Sequence, residues 1–313
     1  MKAVQLHRYG APEELRYESV ALPTIAANEV LVQVAATSVN PKDCLIRKGK
    51  FRFLTGRRFP IRLGNDLAGT VVDRGRDVNT LDLDQPVFGM TQGMVGRAYA
   101  EYVAVRTDQV APAPAAIPLT EAGALPLVSQ TALQALRDLG RIVPGHQVCI
   151  NGASGGVGTV AIQIAKAYGA HVTAVCSSRN GSLCRDLGAD QIAAYDAEDL
   201  LASTARFDIF FDVFGNHSFG ATRHLLRPTG QYISAVPSPA TGWAALRTRW
   251  SGQRAHVVVV RSRRRDLLTI AELVQTGQLR PVIDRSLPLS EAGQAHAHVQ
   301  TKRARGKVLL TPD

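Results

Sequence analysis

The sequence predicts an α/β chain: an antiparallel β domain followed by a doubly wound parallel sheet. Three observations predict it. Residues 1 to about 118 alternate short apolar runs with turn residues. From Gln147 onward, strand-like and helix-like segments take turns, as a parallel sheet with crossover helices requires. Between them, Val148–Lys166 runs a short apolar strand through a glycine cluster and straight into an amphipathic helix.

In chain order, Glu29–Val34, Asp66–Val72, Val87–Phe88 and Tyr99–Val105 read as strands of the first domain. Pro112, Pro114 and Pro118 form a linker, after which Thr120 and Glu121 open a helical region that reaches Leu139 and stops at Gly140. Next come strands at Gln147–Ile150, His171–Cys176, Gln191–Tyr195, Phe207–Val213, Gly230–Val236 and His256–Val260. Helices are expected at Arg179–Leu187, Ala197–Ser203 and His217–Leu226, then at Arg265–Gly277. Gly306–Leu310 is a closing strand that returns to the first domain, so the expected domains are 1–119 with 263–313, and 120–262.

The glycine cluster carries the chemistry. In Gly152-Ala153-Ser154-Gly155-Gly156-Val157-Gly158, Gly155 and Gly158 stand where a chain must approach a pyrophosphate and then let helix and strand pack closely. Ala153 replaces the first glycine of the usual pattern. The setting compensates: Val157, Val160, Ala161, Ile164 and Ala165 repeat on one helix face, and a second strand follows at βαβ distance. Backbone N–H groups of Ser154, Gly155, Gly156 and Val157, at the positive end of the helix dipole, would face the phosphates.

The end of the second strand selects the dinucleotide. An NAD site places Asp or Glu roughly 20 residues past the glycines to hold the ribose 2′-OH. This chain has Cys176-Ser177-Ser178-Arg179-Asn180 there, two hydroxyls and a guanidinium suited to a 2′-phosphate, with no carboxylate to repel it. NADPH is therefore expected over NADH, with Arg179 as the charge partner; a solvated loop arginine is the alternative.

Composition excludes several classes. A chain of 313 residues, 45% hydrophobic and 20% charged, has material for two cores. Its longest apolar runs are too short to span a membrane, and Gln5, His7 and Arg8 interrupt what a signal peptide would need, so a cytoplasmic location is expected. Four cysteines, at 44, 149, 176 and 184, make no C-x-x-C pair, which argues against a disulfide framework or zinc cluster. Cys44 falls in what reads as a polar loop. The net charge of +10 gathers in arginine clusters at 57–62 and 247–265. These are either solvated faces or attractors for the phosphates of NADPH, an acidic thioester carrier or RNA; sparse aromatic interleaving argues against nucleic acid.

The chain resembles the medium-chain dehydrogenase/reductase superfamily, and within it the zinc-independent, zeta-crystallin-like quinone oxidoreductases. The resemblance rests on Ser38-Val39-Asn40-Pro41-Lys42-Asp43, Leu63-Gly64-Asn65-Asp66-Leu67-Ala68-Gly69, the glycine cluster, Pro281-Val282-Ile283-Asp284 and Gly306-Lys307-Val308. Ala170–Ser177 is similar to the branch of mitochondrial reticulon-interacting reductases and many bacterial quinone-reductase-like proteins. The resemblance implies a GroES-like domain joined to a Rossmann domain. It also implies a homodimer formed through the last nucleotide-domain strand, near His256–Val260.

Alcohol dehydrogenases of this superfamily use zinc. By resemblance, Asn40 stands at their first cysteine ligand and Gly64-Asn65-Asp66 at their Gly-His-Glu motif, so no metal is expected. Without a Lewis acid, the favoured acceptor spreads incoming charge through its own conjugation, as a quinone or α,β-unsaturated carbonyl does. The resemblance places Asn40 and Thr131 near the nicotinamide and its ribose, and Phe214-Gly215 and Ile233-Ser234 on loops that brush the cofactor. It places Tyr195 beside the adenosine phosphate and Lys307 within reach of the cofactor. Where the best-known quinone reductases carry two tyrosines, this chain has Leu45 and Phe51; Lys42 and Arg47 are candidate substitutes, or solvated loop residues. Three functions remain open at this stage: an NADPH-dependent quinone or enone reductase, a 2-enoyl-thioester reductase, and an NADPH-sensing or RNA-binding protein without turnover.

Overall fold

The computed structural model describes residues 1–56 and 58–313. Two compact units partition the chain: residues 1–127 with 261–313, and residues 128–260.

The first unit begins with the antiparallel pair β1 (Lys2–Leu6) and β2 (Leu15–Ser19). Its larger sheet is centred on the long strand β3 (Glu29–Val39), whose alternating Val30, Val32 and Val34 bury against a core that includes Leu67, Val71, Val87 and Val103. After β3 the chain turns into helix α1 (Pro41–Arg47) and a short α2 (Arg52–Thr55). Strands β4 (Asp66–Arg74), β5 (Pro86–Met90), β6 (Tyr102–Arg106) and β7 (Val110–Pro112) complete the meander; β4 and β6 both pair antiparallel with β3. Helix α3 (Leu119–Ala122) packs on β3 and β4, which draws the first unit past the proline linker. The expected helical region to Leu139 is interrupted: α4 (Pro126–Leu133) follows α3 after a gap, and then a wider-turned helical segment, Gln134–Leu139.

The second unit is an all-parallel sheet. Strands β8 (Gln147–Asn151), β9 (His171–Cys176), β10 (Gln191–Ala194), β11 (Phe207–Asp212), β12 (Leu226–Ser234) and β13 (Arg254–Val257) lie in the order β10-β9-β8-β11-β12-β13. This is the doubly wound order, with the reversal point beside β8. Helix α5 (Gly156–Ala167) follows β8, α6 (Gly181–Asp186) follows β9, α7 (Phe219–Thr222) follows β11 and α8 (Pro239–Arg247) follows β12. The chain then returns to the first unit through α9 (Arg264–Gln275), β14 (Ile283–Pro288), α10 (Ala292–Gln300) and β15 (Lys307–Thr311), the last pairing antiparallel with β3.

Several expectations need correction. The segment holding Cys44 is not a polar loop but α1: Pro41 takes the first helical position, where its missing N–H costs nothing, and the Cys44 side chain is buried. The helix expected over 197–203 is only a turn at Leu200–Ala202, capped by Asp199, whose carboxylate accepts from Leu201 N at 2.9 Å. The helix expected over 217–226 shrinks to α7 because Leu226 already pairs with Phe207 as the start of β12. Helices α8 and α10 form where the sequence pattern predicts none.

Candidate functional site

In the first unit the site is a buried polar cluster. Asn40 closes β3, and its neighbours Ser38 and Asp66 face it from β3 and β4. Asn40 Nδ2 donates to Asp66 Oδ2 at 2.8 Å, and Asn40 Oδ1 accepts from Lys307 Nζ at 2.7 Å. Lys307 Nζ also reaches Val39 O at 3.4 Å and Asp66 Oδ2 at 3.5 Å. Asp66 additionally accepts from Ser38 Oγ and from Leu127 N, the latter at 2.6 Å. All of these side chains are buried. A fixed amide results, its oxygen on a cation and its nitrogen on a carboxylate. Burial pushes the Lys307 ammonium below its ordinary pKa, while Asp66 and Asp43 push it back up.

Beneath α1 a second chain of bonds runs outward. Asp43 Oδ2 accepts from Asn40 N at 2.9 Å and from the Tyr99 hydroxyl at 3.1 Å; that hydroxyl lies 3.1 Å from His296 Nε2, and Arg47 Nε donates to His296 Nδ1 at 3.3 Å. Arg47 Nη1 also donates to Gly10 O. Because His296 Nδ1 accepts, the neutral ring carries its proton on Nε2 and donates toward Tyr99. Asp43, with Oδ1 unpartnered, is pushed up by burial. Lys42 is half-buried, donates to Gly93 O at 3.2 Å, and is pushed below its ordinary pKa, chiefly by desolvation. Neither Asp66 nor His296 was singled out as a functional residue from sequence; Lys307 and Asp66 are 241 positions apart, and nothing local links them.

The second unit supplies the glycine elbow. Gly152 leaves β8 at a φ of 83°, a left-handed conformation that favours glycine. A Cβ on Gly158 would sit 2.2 Å from Gly152 O and 2.6 Å from Ala153 Cα, so only glycine lets α5 pack this close. Gly155 differs: its Cβ would meet only Gly152 O, at 3.5 Å. No other part of the fold crowds the Gly155 position within 4 Å, as the close approach of a pyrophosphate would require. Gly156 and Val157 open α5 beside it. Ser154 Oγ accepts from Asn180 Nδ2 at 2.9 Å, tying the elbow to the loop after β9. In that loop Ser177 Oγ and Asn180 Oδ1 are buried without a hydrogen-bond partner, polar atoms that a nucleotide would satisfy. These features fit a dinucleotide.

One expectation about this loop fails. The Ser177–Asn180 loop is not free of carboxylate: Asp196, just past β10, accepts from Ser178 N at 2.8 Å and from Ser178 Oγ at 2.9 Å. Arg179 and Tyr195 are exposed. A second missed residue is Asp212, which ends β11. Its carboxylate accepts from Asn151 Nδ2 at 2.7 Å, Gly215 N at 2.8 Å, His217 N at 3.1 Å and the Tyr232 hydroxyl at 3.2 Å. Asp212 thereby shapes the Phe214-Gly215 loop, and a carboxylate closing the apolar run Phe207–Asp212 was the signal available. Phe214 and Gly215 are exposed, whereas Ile233 and Ser234 are buried, Ser234 Oγ bonding Val236 O at 3.1 Å. Thr131 is buried in α4.

Of the two arginine clusters, the first includes Arg57, which lies outside the described residues. In the second, Arg264 is structural: its guanidinium donates to the carbonyls of Val110 at 3.0 Å and Thr107 at 3.5 Å.

Comparisons with known proteins agree with this geometry. Residues 26–115 match the alcohol dehydrogenase GroES-like domain, and residues 187–310 match a zinc-binding dehydrogenase domain. The chain is 34% identical, over 99% of its length and 89% of the relative's, to the mitochondrial NAD(P)H oxidoreductase RTN4IP1 of Mus musculus. It is 32% identical, over 100% of its length and 98% of the relative's, to the chloroplast envelope quinone oxidoreductase homolog of Arabidopsis thaliana. The structure of the quinone oxidoreductase from Coxiella burnetii superposes with a TM-score of 0.91 at 32% identity, covering 100% of this chain and 99% of that one. Fold and matches together define a dehydrogenase that joins a GroES-like domain to a dinucleotide-binding domain. The chain belongs to the medium-chain dehydrogenase/reductase superfamily, in its quinone oxidoreductase branch.

The zinc in the matched domain's name does not suit this donor set. Asn40 Oδ1 is taken by an ammonium, the Asp66 carboxylate already serves several donors, and Asn65 Nδ2 donates to Thr91 O at 2.8 Å. Zinc prefers thiolate and imidazole nitrogen. Among the described residues no group of three or more His, Cys, Asp or Glu side chains is placed to hold a metal.

Proposed function

We propose that this protein is an NADPH-dependent reductase of quinones or α,β-unsaturated carbonyls. The observation that carries the proposal is the glycine elbow whose Gly155 position is open while Gly158 is closed by backbone, in a chain whose buried polar cluster sets the Lys307 ammonium on Asn40. The dihydronicotinamide supplies a hydride when bound. Ser154, Gly155, Gly156 and Val157 hold the pyrophosphate through backbone N–H groups. Ser177, Ser178, Arg179 and Tyr195 hold the phosphorylated adenosine ribose, and Phe214, Gly215, Ile233 and Ser234 line the cofactor's path. Asn40 and Thr131 serve the nicotinamide end. Lys307 acts through Asn40, since its ammonium already has three protein acceptors. Lys42, desolvated and therefore readier to lose its proton, is the candidate donor to a developing enolate or hydroquinone oxygen.

Two further readings accompany this one. A homodimer forms through β13, whose only strand partner among the described residues is β12. The cytoplasmic location expected from sequence is for cell fractionation to decide, because matched relatives are named for mitochondria and the chloroplast envelope. Among the described residues no helix is long and apolar enough to cross a membrane.

The test is an NADPH-oxidation screen over quinones, enones, simple aldehydes and enoyl thioesters. Turnover with quinones or free enones supports the proposal, a preference for simple aldehydes refutes it, and a preference for enoyl thioesters over free enones selects the 2-enoyl-thioester reductase instead. Asn40→Ala and Thr131→Ala should each lower turnover; full turnover in both, with normal cofactor affinity, would show those two assignments to be wrong.

A further inference from the structure

The rule that separates NAD from NADP sites looks for an acidic residue at the end of the second strand. Here the acid arrives from the third. Parallel pairing sets Ala194 of β10 beside Cys176 of β9, so the residues just beyond each strand emerge together. Asp196 lands on the opening of the Ser177–Asn180 loop and takes both donors of Ser178, the backbone N–H at 2.8 Å and the hydroxyl at 2.9 Å. Those two bonds, with a smaller contribution from the nearby Arg179 charge, hold the Asp196 carboxyl below the usual carboxylate range, so it is ionised at neutral pH.

A ribose 2′-phosphate is a dianionic acceptor. It seeks backbone N–H groups, hydroxyls and a guanidinium, and in this loop Asp196 already sits on both donors of Ser178, leaving the Ser177 hydroxyl and Arg179. Binding the phosphate means displacing Asp196 from Ser178, or seating a second anion beside it on the remaining donors of the loop. A ribose 2′-OH carries no charge, so NADH meets no such conflict.

We propose that Asp196 is a specificity-determining residue that limits the preference for NADPH over NADH, acting as an internal anion on the Ser178 donors that a 2′-phosphate would use. This rests on the reading above that the Ser177–Asn180 loop receives the adenosine ribose.

The experiment is calorimetric titration of wild type, Asp196→Asn, Asp196→Ala and Arg179→Ala with NADPH, NADH, 2′,5′-ADP and AMP, at low and high salt. The expected result is that both Asp196 variants bind NADPH and 2′,5′-ADP about tenfold more tightly than wild type at low salt, NADH and AMP binding being unchanged. The gain should shrink at high salt. Asp196 is exposed, so losing its two bonds to Ser178 should leave the fold intact with at most a small fall in the urea midpoint, which unfolding curves check. An unchanged NADPH-to-NADH ratio, equal tightening of both coenzymes, or weaker NADPH binding would overturn the inference; the last would mean that Asp196 only orders the loop. Arg179→Ala separates this failure from that of the parent reading, since there NADPH preference should fall by about one to two decades. No binding of any probe to wild type, or no effect of Arg179→Ala, would overturn the loop assignment and this inference with it.

Discussion

Replacing Lys307 with Met tests whether the buried cluster around Asn40 is held by charge. Lys307 and Asp66 are 5% and 0% exposed, and their charged atoms stand 3.5 Å apart. At an effective dielectric constant of about 20, charges at that separation attract by about 5 kcal/mol, and the cost of burying both offsets most of it. Removing one partner keeps the burial cost and loses the attraction, which typically destabilises by about 3–5 kcal/mol. Asp66 would still accept from Ser38 Oγ, Asn40 Nδ2 and Leu127 N, which places the expected loss toward the lower end of that range. Met preserves most of the stem's packing, so the charge change dominates. Urea unfolding measures the loss, and the double variant Asp66→Asn/Lys307→Met should recover much of it because no lone charge remains. Turnover should fall in the single variant with little change in coenzyme affinity, because Asn40 Oδ1 has lost its donor. A loss below about 1 kcal/mol, with the double variant no more stable than the single, would refute the charge argument.

Two more predictions follow from the same geometry. Gly158→Ala should cost about 1–3 kcal/mol, because its Cβ meets backbone atoms that cannot swing away, whereas Gly155→Ala should keep the wild-type urea midpoint yet lose NADPH affinity by titration; Gly155→Ala binding as wild type would refute the cradle. His296 is pushed down to about 3 by burial and by Arg47, against an ordinary value of 6.5. The unfolded chain therefore takes up a proton below that ordinary value which the native chain refuses, so stability falls as pH drops between the two, by about 1.4 kcal/mol per pH unit. Asp43, pushed up by burial, binds its proton earlier in the native state and offsets part of this fall. Thermal melts across pH should show a shallower acid slope in His296→Asn than in wild type.

Legibility followed locality. The elbow was readable because β8, the glycines and α5 are consecutive, and each glycine's role is set by neighbours within a few residues: Gly152 by its own φ, Gly158 by Gly152 O. Helix α1 could have been read, since Asn40-Pro41 followed by Asp43 is a helix-start signal whose Asp43 carboxylate accepts from Asn40 N. Helix α10 was harder: its short run of alanines and histidines has a weak apolar face, and His296 is buried only because α1 and Tyr99 meet it.

The sequence by itself determined the two-domain α/β class and the strand–glycine–helix elbow, because these depend on short-range spacing and residue chemistry. Only the tertiary structure decided that Asn40 is clamped between Lys307 and Asp66, and that Asp196 stands on Ser178. Both arise from strand pairing, β15 against β3 and β10 against β9, which brings together residues far apart in the chain. No local pattern records which side chains emerge side by side at the ends of paired strands.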